Sequence, residues 1–302
     1  MTQSKRGTTR LSFALLRYVW HHPLNADNRP AALARVLRWQ LAVRLMPGPI
    51  AFPFVEDTQL FATRGMTGAT GYWYCGLHEL SEMAFVLHLL RPDETFVDIG
   101  ANIGSYTVLA AGGAKARVVA VEPSPSTFAR LTQNVRLNNL ETRVRLWCGG
   151  LSDTDGTLRF SSELDTVNHV LAANESGPAL DVPVQRLDDL LGGEDPVLMK
   201  IDVEGHEWPV LRGAPRTLST PTLLAVVMET NGSGARYGIS DDKLIETMRG
   251  HGFEACSYDP FARALLLSGP ATEGNTVFVR NREAVQERVR SAGRFRAGSA
   301  MI

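Results

Sequence analysis

Phe96-Val97-Asp98-Ile99-Gly100-Ala101-Asn102-Ile103-Gly104 begins as a short apolar run and breaks into glycine after Ile99. Glycines that follow a buried strand and open a helix lack the Cβ atoms that would keep a ligand away from the backbone. The next apolar run ends at Val121-Glu122-Pro123, and Glu122 lies 18 positions beyond Gly104. A carboxylate at that second strand tip is placed to accept hydrogen bonds from ribose hydroxyls. A dinucleotide would need its pyrophosphate against a G-x-G-x-x-G turn, whereas this turn is G-x-x-x-G with Asp98 beside it. Asp98 repels phosphate and favours a cationic ligand, such as the sulfonium and amino group of S-adenosylmethionine.

Outward from this unit, apolar β-rich runs at 95–99, 117–121, 144–148, 197–201 and 223–228 alternate with helical spacing at 104–111, 125–138, 206–218 and 241–250. That alternation predicts an α/β fold with a doubly wound, mostly parallel sheet. Short strands are expected at 157–160 and 182–185, and an antiparallel pair at 253–258 and 276–280 closes the sheet. Before it, residues 1–78 form a basic extension, with helices at 11–20 and 31–45 separated by a polar turn at 23–30 and ended by Pro47, Pro49 and Pro53. The glycines and aromatics of 61–74 suggest strands and turns, and 79–90 returns to helical spacing. The main domain is expected over 79–281, followed by a basic tail at 282–302 that reads as a solvated helix.

The 302 residues are 44% hydrophobic and 21% charged, which is ordinary globular composition. A net charge of -1 gives no reason to expect nucleic acid as a partner. Residues 1–50 nevertheless hold Lys5, Arg6, Arg10, Arg17, Arg29, Arg35, Arg38 and Arg44 against Asp27, a local charge of +7. Cys75, Cys148 and Cys256 are too far apart for a zinc knuckle, a C-x-x-C redox pair or a disulfide framework, and a reducing cytoplasm is the expected location. No signal peptide is read at the N-terminus, and no apolar run approaches the roughly 18–20 residues that span a bilayer.

Val197-Leu198-Met199-Lys200-Ile201-Asp202-Val203-Glu204-Gly205-His206-Glu207 departs from the apolar pattern of a strand covered on both faces. Lys200, Asp202 and Glu204 alternate toward the strand's carboxyl end, where open α/β sheets bind ligands. A second charged tip, Glu229-Thr230-Asn231, precedes Gly232-Ser233-Gly234. The bland reading is a Lys200–Asp202 ion pair with Glu204 capping the next helix; for Asp202 and Glu204 the sequence favours function, because perturbed carboxylates collect at such clefts. His206 fits a general base and a helix N-terminal residue equally. His21, His22, His78, His88, His169 and His251 have no partner pattern.

Five segments together resemble the FkbM family of S-adenosylmethionine-dependent methyltransferases: residues 97–104, 121–123 and 187–190, the block 200–213, and Met228-Glu229. The resemblance covers about residues 80–280, and its most family-specific part is 200–213. It implies a seven-stranded Rossmann-like sheet and O-methylation of a hydroxyl on a small molecule or glycan, with carbohydrate the preferred acceptor. It also implies that Asp98, Gly100, Asn102 and Gly104 line the methionine part of the cofactor, that Glu122 holds the ribose, and that adenine lies near Gly150, Leu151 and Ser152. Methyl transfer to oxygen needs positioning and a proton acceptor, for which Asp202, Glu204 and His206 are candidates, with Lys200 stabilising the developing alkoxide. In a less favoured version Asp202, Glu229 and Asn231 hold Mg²⁺. The +7 extension, with Trp20 and Trp39 among its basic residues, fits peripheral contact with the inner membrane face or a lipid-linked substrate, and equally a helical cap or dimer contact. The rival readings are an NAD(P)-dependent nucleotide-sugar oxidoreductase, which would need a G-x-G-x-x-G turn and a Tyr-x-x-x-Lys pair, and a non-catalytic cofactor-binding protein of the same fold.

Overall fold

The computed structural model describes residues 12–302 except 47, 64, 162–168, 173, 174, 176 and 268–273. The chain forms two compact units, residues 1–78 with 294–302 and residues 79–293.

In the second unit, eight strands form the main sheet: β1 (Thr95–Ile99), β2 (Arg117–Glu122), β3 (Val144–Cys148), β4 (Leu198–Ile201), β5 (Ala225–Glu229), β6 (Glu254–Asp259), β7 (Ala264–Leu267) and β8 (Asn275–Val279). Their order is β7-β6-β8-β5-β4-β1-β2-β3. The five strands from β3 to β5 are parallel, and β8 runs antiparallel to both β5 and β6. Seven strands were expected. The eighth, β7, folds back on β6 as an edge hairpin whose Leu266 and Leu267 remain exposed, so it carries too little buried apolar pattern to read as a strand.

One face of the sheet, through Val97, Ile99, Val119, Val121, Met199, Ile201, Val226 and Met228, packs in one core with Leu187, Val210, Leu218, Leu244 and Met248. These come from the helices Leu187–Leu191, Glu207–Arg212, Pro215–Ser219 and Asp241–Gly250. Side chains alternate along a strand, so Asp98, Glu122 and Lys200 belong to the opposite face. The helix expected over 206–218 is two helices, because Pro215 lacks the N–H that would continue the first and instead starts the second. The expected helix at 104–111 is Ser105–Val108 followed by a wider π turn over Leu109–Gly113. A separate three-stranded sheet joins Gly150–Leu151, Ala179–Gln185 and Gly156–Ser161.

The first unit contains the helices Phe13–His21 and Arg29–Leu45, with the 3₁₀ turn Pro23–Asn28 between them. Lys5, Arg6 and Arg10, the start of the expected first helix at Leu11, and Pro47 lie outside the described residues. Among the described residues of the stretch expected as strands and turns, only the end of Gln59–Ala62 is strand, paired with Ile50–Pro53, while Thr67–Cys75 is a helix. Burial of Tyr72 and Tyr74, and a Trp73 indole N–H donated to the Arg35 carbonyl at 3.0 Å, outweigh the low helix propensity of its glycines.

Residues 282–302 are not one solvated tail. The helix Arg282–Arg290 buries Val285 and Val289, and Arg288 pairs with Glu94 at 2.6 Å. Residues 294–302 belong to the first unit, where Ala297 bridges Val55. No helix among the described residues is long and apolar enough to cross a membrane.

Candidate cofactor and catalytic site

The glycine turn leaves the carboxyl end of β1. Gly100 adopts φ +79°, and a Cβ on it would stand 1.8 Å from the Asp202 carbonyl oxygen. Gly104 adopts φ +89°, and its Cβ would stand 2.5 Å from Leu131 Cδ1. The space where these two Cβ atoms would stand is therefore filled by the protein itself. Here glycine lets the β1 and β4 loops touch, and Asp202 N–H donates to the Ile99 carbonyl at 3.0 Å.

The turn is tied to the tip of β2 through Glu122. Asn102 N–H donates to Glu122 Oε2 and Ser124 N–H to Oε1, each at 2.9 Å. Burial pushes the Glu122 carboxyl up to about 7 even against these two donors. Asp98, fully buried, accepts from Thr107 Oγ1 at 2.6 Å through Oδ2, while its Oδ1 has no hydrogen-bond partner. Burial pushes Asp98 up to about 6, with the Lys200 ammonium opposing the shift.

Asp98 and Lys200 are register partners across β1 and β4. Lys200 is buried, its Nζ lies 2.6 Å from Asp202 Oδ2, and it stands 4.8 Å from the centre of the Tyr106 ring. Burial by itself would lower the ammonium; the carboxylates of Asp202, Glu79 and Asp98 outweigh it and raise the pKa, so Lys200 stays charged. β4 ends at Ile201, and Glu204 adopts a left-handed φ of +54° in the following loop. Carboxylate oxygens of Asp202, Glu204 and Glu229 lie within 4.8 Å of one another. Burial and the neighbouring Asp202 raise Glu204; burial, Asp202 and Glu204 push Glu229 up to about 8.

Asn231, expected as the third oxygen ligand, does not fill that place, since its Nδ2 donates to Glu229 Oε1 at 2.7 Å and its Oδ1 accepts from Ser233 N–H. Glu204 takes the third position. Nor does Glu204 cap the helix that follows. His206 occupies the N-terminal position of Glu207–Arg212, and buried Glu207 holds the loop by accepting from the N–H groups of Val203 and Gly205, both at 3.2 Å. Burial pushes the His206 imidazole down to about 4, so it is neutral at pH 7. Its Nε2 lies 3.5 Å from Ser152 Oγ, and its ring meets Tyr237 edge-on.

The proposed adenine residues divide. The Leu151 side chain is buried in the hydrophobic core, which leaves only its backbone to face an adenine. Gly150 pairs with Val184 in the small sheet, and Ser152 N–H, just past the strand, donates to the Gln185 carbonyl. Sequence reasoning passed over Cys148 and Gly149 at the β3 tip. Cys148 is the register partner of Glu122, and Gly149 N–H donates to the Glu122 carbonyl at 3.2 Å. The signal available was their position at the end of the third parallel strand.

A parallel sheet closed by an antiparallel strand, a glycine turn at its centre and an acid at the next strand tip define a Rossmann-like α/β protein. The methyltransferase FkbM domain matches residues 98–255, just over half of the chain, and the protein belongs to this methyltransferase family. It is similar to the hexuronic acid methyltransferase AglP of Haloferax volcanii, with 29% identity over 203 residues, covering 64% of this chain and 80% of that protein. The 31-O-demethyl-FK506 methyltransferase FkbM of Streptomyces tacrolimicus is 28% identical over 199 residues, covering 54% of this chain and 74% of that protein. Among solved structures, precorrin-6Y C5,15-methyltransferase from Geobacter metallireducens covers 67% of this chain and 87% of its own at 14% identity, with a TM-score of 0.39.

Proposed function

We propose that this methyltransferase uses S-adenosylmethionine to methylate a hydroxyl group, with a carbohydrate as the acceptor, in the cytoplasm. The observation that carries the cofactor is the buried carboxylate Asp98, whose Oδ1 has no partner, beside the turn that Glu122 ties to β2. A ligand with fixed positive charge and vicinal hydroxyls fits this chemistry: Asp98 and Asp202 favour the charge, and each Glu122 oxygen keeps a lone pair for a ribose hydroxyl. When bound, the cofactor supplies a methyl group made electrophilic by sulfonium. The carbohydrate assignment rests on the similarity to the hexuronic acid methyltransferase.

The chain's own part is to place the acceptor oxygen and take its proton. Asp202, Glu204 and Glu229 converge at the ends of adjacent strands, and a hydroxyl bonded to one of them loses its proton as the oxygen attacks. Lys200 pairs with Asp202 at 2.6 Å, and is thereby committed to the carboxylate rather than free to meet an alkoxide. His206, neutral and turned to Ser152 and Tyr237, is left to a structural role at the helix start. The same three carboxylate oxygens have the spacing to share a divalent cation, which is the second reading of the cluster.

The test is incubation with labelled S-adenosylmethionine and a panel of uronic-acid and neutral glycosides, before and after exhaustive EDTA treatment. Acceptor-dependent transfer of label to oxygen is expected. Turnover that survives EDTA assigns the cluster to proton transfer, and turnover restored only by Mg²⁺ assigns it to metal. Binding of NADH in place of S-adenosylmethionine would refute the proposal.

A further inference from the structure

The helix Arg29–Leu45 is apolar on two opposite sides. Ala32, Val36 and Trp39 are buried. On the other side Leu37, Leu41 and Leu45, spaced four apart, are 62%, 58% and 72% exposed, and Met46 at the helix end is 56% exposed. At 100° per residue this stripe is flanked by Arg44 on one side and Arg38 on the other, both exposed. No ion pair among the described residues involves either arginine. Between residues 12 and 46, Asp27 is the only acid against five arginines.

Three exposed leucines on successive turns form an apolar surface that water penalises unless something covers it. The charge decides what that is. A second copy packed symmetrically on the stripe would bring Arg38 and Arg44 against their own counterparts with no acid to separate them. A bilayer with anionic headgroups offers an apolar interior for the leucines and opposite charge at the depth of the guanidinium groups. We propose that the stripe Leu37, Leu41, Leu45 and Met46, with Arg38 and Arg44, is a docking surface for an anionic membrane. The inference corrects the expectation from sequence that Trp39 would take part, since Trp39 is buried. It is independent of the methyltransferase reaction.

The test is sedimentation of the full chain with vesicles of phosphatidylcholine alone and of phosphatidylcholine mixed with phosphatidylglycerol, with size measured in solution by light scattering. Wild type is expected to pellet with the mixed vesicles at low salt and to be released at high salt. R38Q/R44Q should bind them about 30-fold more weakly, at roughly 1 kcal/mol for each arginine near the surface. L37Q/L41Q/L45Q should stay in the supernatant with an unchanged thermal midpoint, because these side chains are exposed. Failure of wild type to pellet at low salt overturns the proposal. Pelleting unchanged by both variants also overturns it, as does a leucine variant that turns a dimer into a monomer.

Discussion

Glu122→Gln separates the ligand role of this side chain from its structural one. In the wild type the two carboxylate oxygens each accept a backbone N–H at 2.9 Å, from Asn102 and Ser124. The amide keeps one oxygen and turns an NH₂ group toward the other donor, so one N–H is left opposed. That costs about 1–3 kcal/mol of folding stability, which thermal or urea unfolding will show. Binding loses more than geometry, because the charge and one acceptor for the ribose hydroxyls go together. The expected loss is about 1.5–3 kcal/mol, or roughly 10- to 150-fold in Kd, by calorimetric titration with S-adenosylmethionine.

Protons give a second readout. Burial pushes the Glu122 carboxyl up to about 7, so in the free protein it carries its proton for part of the time near neutral pH. A cationic ligand that needs the carboxylate must drive that proton off. Wild-type binding should therefore strengthen as pH rises from about 6 to 8, and titrations in buffers of different ionisation enthalpy should show release of a fraction of a proton. In Glu122→Gln that fraction falls. A folded Glu122→Gln variant that binds S-adenosylmethionine with wild-type affinity and wild-type proton release would refute the assignment.

Gly100→Ala should fail as a structural change: the added Cβ meets the Asp202 carbonyl in a backbone conformation that favours glycine, so a loss of more than about 3 kcal/mol is expected in urea unfolding. Wild-type stability in that variant would show that the β1 and β4 loops do not touch. Asp98→Asn tests the cost of the buried charge. Because folding raises the Asp98 pKa from its unfolded value near 4 to about 6, the stability it contributes is full below about pH 4 and is lost as pH rises through 6. The thermal midpoint of Asp98→Asn should therefore rise relative to wild type between pH 4 and 7 in the absence of ligand; parallel curves would contradict the shift.

The parallel core was legible because its strands combine a buried apolar run with a sharp boundary. β1 and β3, and the helix Asp241–Gly250, fall at their expected residues, each bounded by turn or capping chemistry that acts locally. β7 was not legible because Leu266 and Leu267 gain nothing from the core, and Thr67–Cys75 was misread because tertiary burial of its tyrosines decides a segment whose glycines argue against helix. The site divides on the same line. Asp98 and Glu122 follow from their places at strand tips. The uses of Asn231, Glu207 and Leu151 depend on which donors and side chains long-range folding brings beside them, and no spacing in the sequence records that.

The backbone of the glycine turn also weighs against the oxidoreductase reading on grounds that sequence spacing could not supply. A pyrophosphate is held by N–H groups pointing outward from such a turn at a helix start. Here Gly100 and Ala101 N–H both donate to the Val121 carbonyl, at 3.0 and 2.9 Å, and Gly104 N–H donates to the Ala101 carbonyl at 2.8 Å. Asn102 N–H is taken by Glu122. These four donors are spent within the protein, while an unpartnered carboxylate oxygen of Asp98 remains beside them. Lys200 pairs directly with Asp202 and, as the register partner of Asp98, offsets only part of the negative charge of the two carboxylates. Four amides spent within the protein beside buried carboxylates fit positive charge and hydroxyl groups better than they fit a diphosphate.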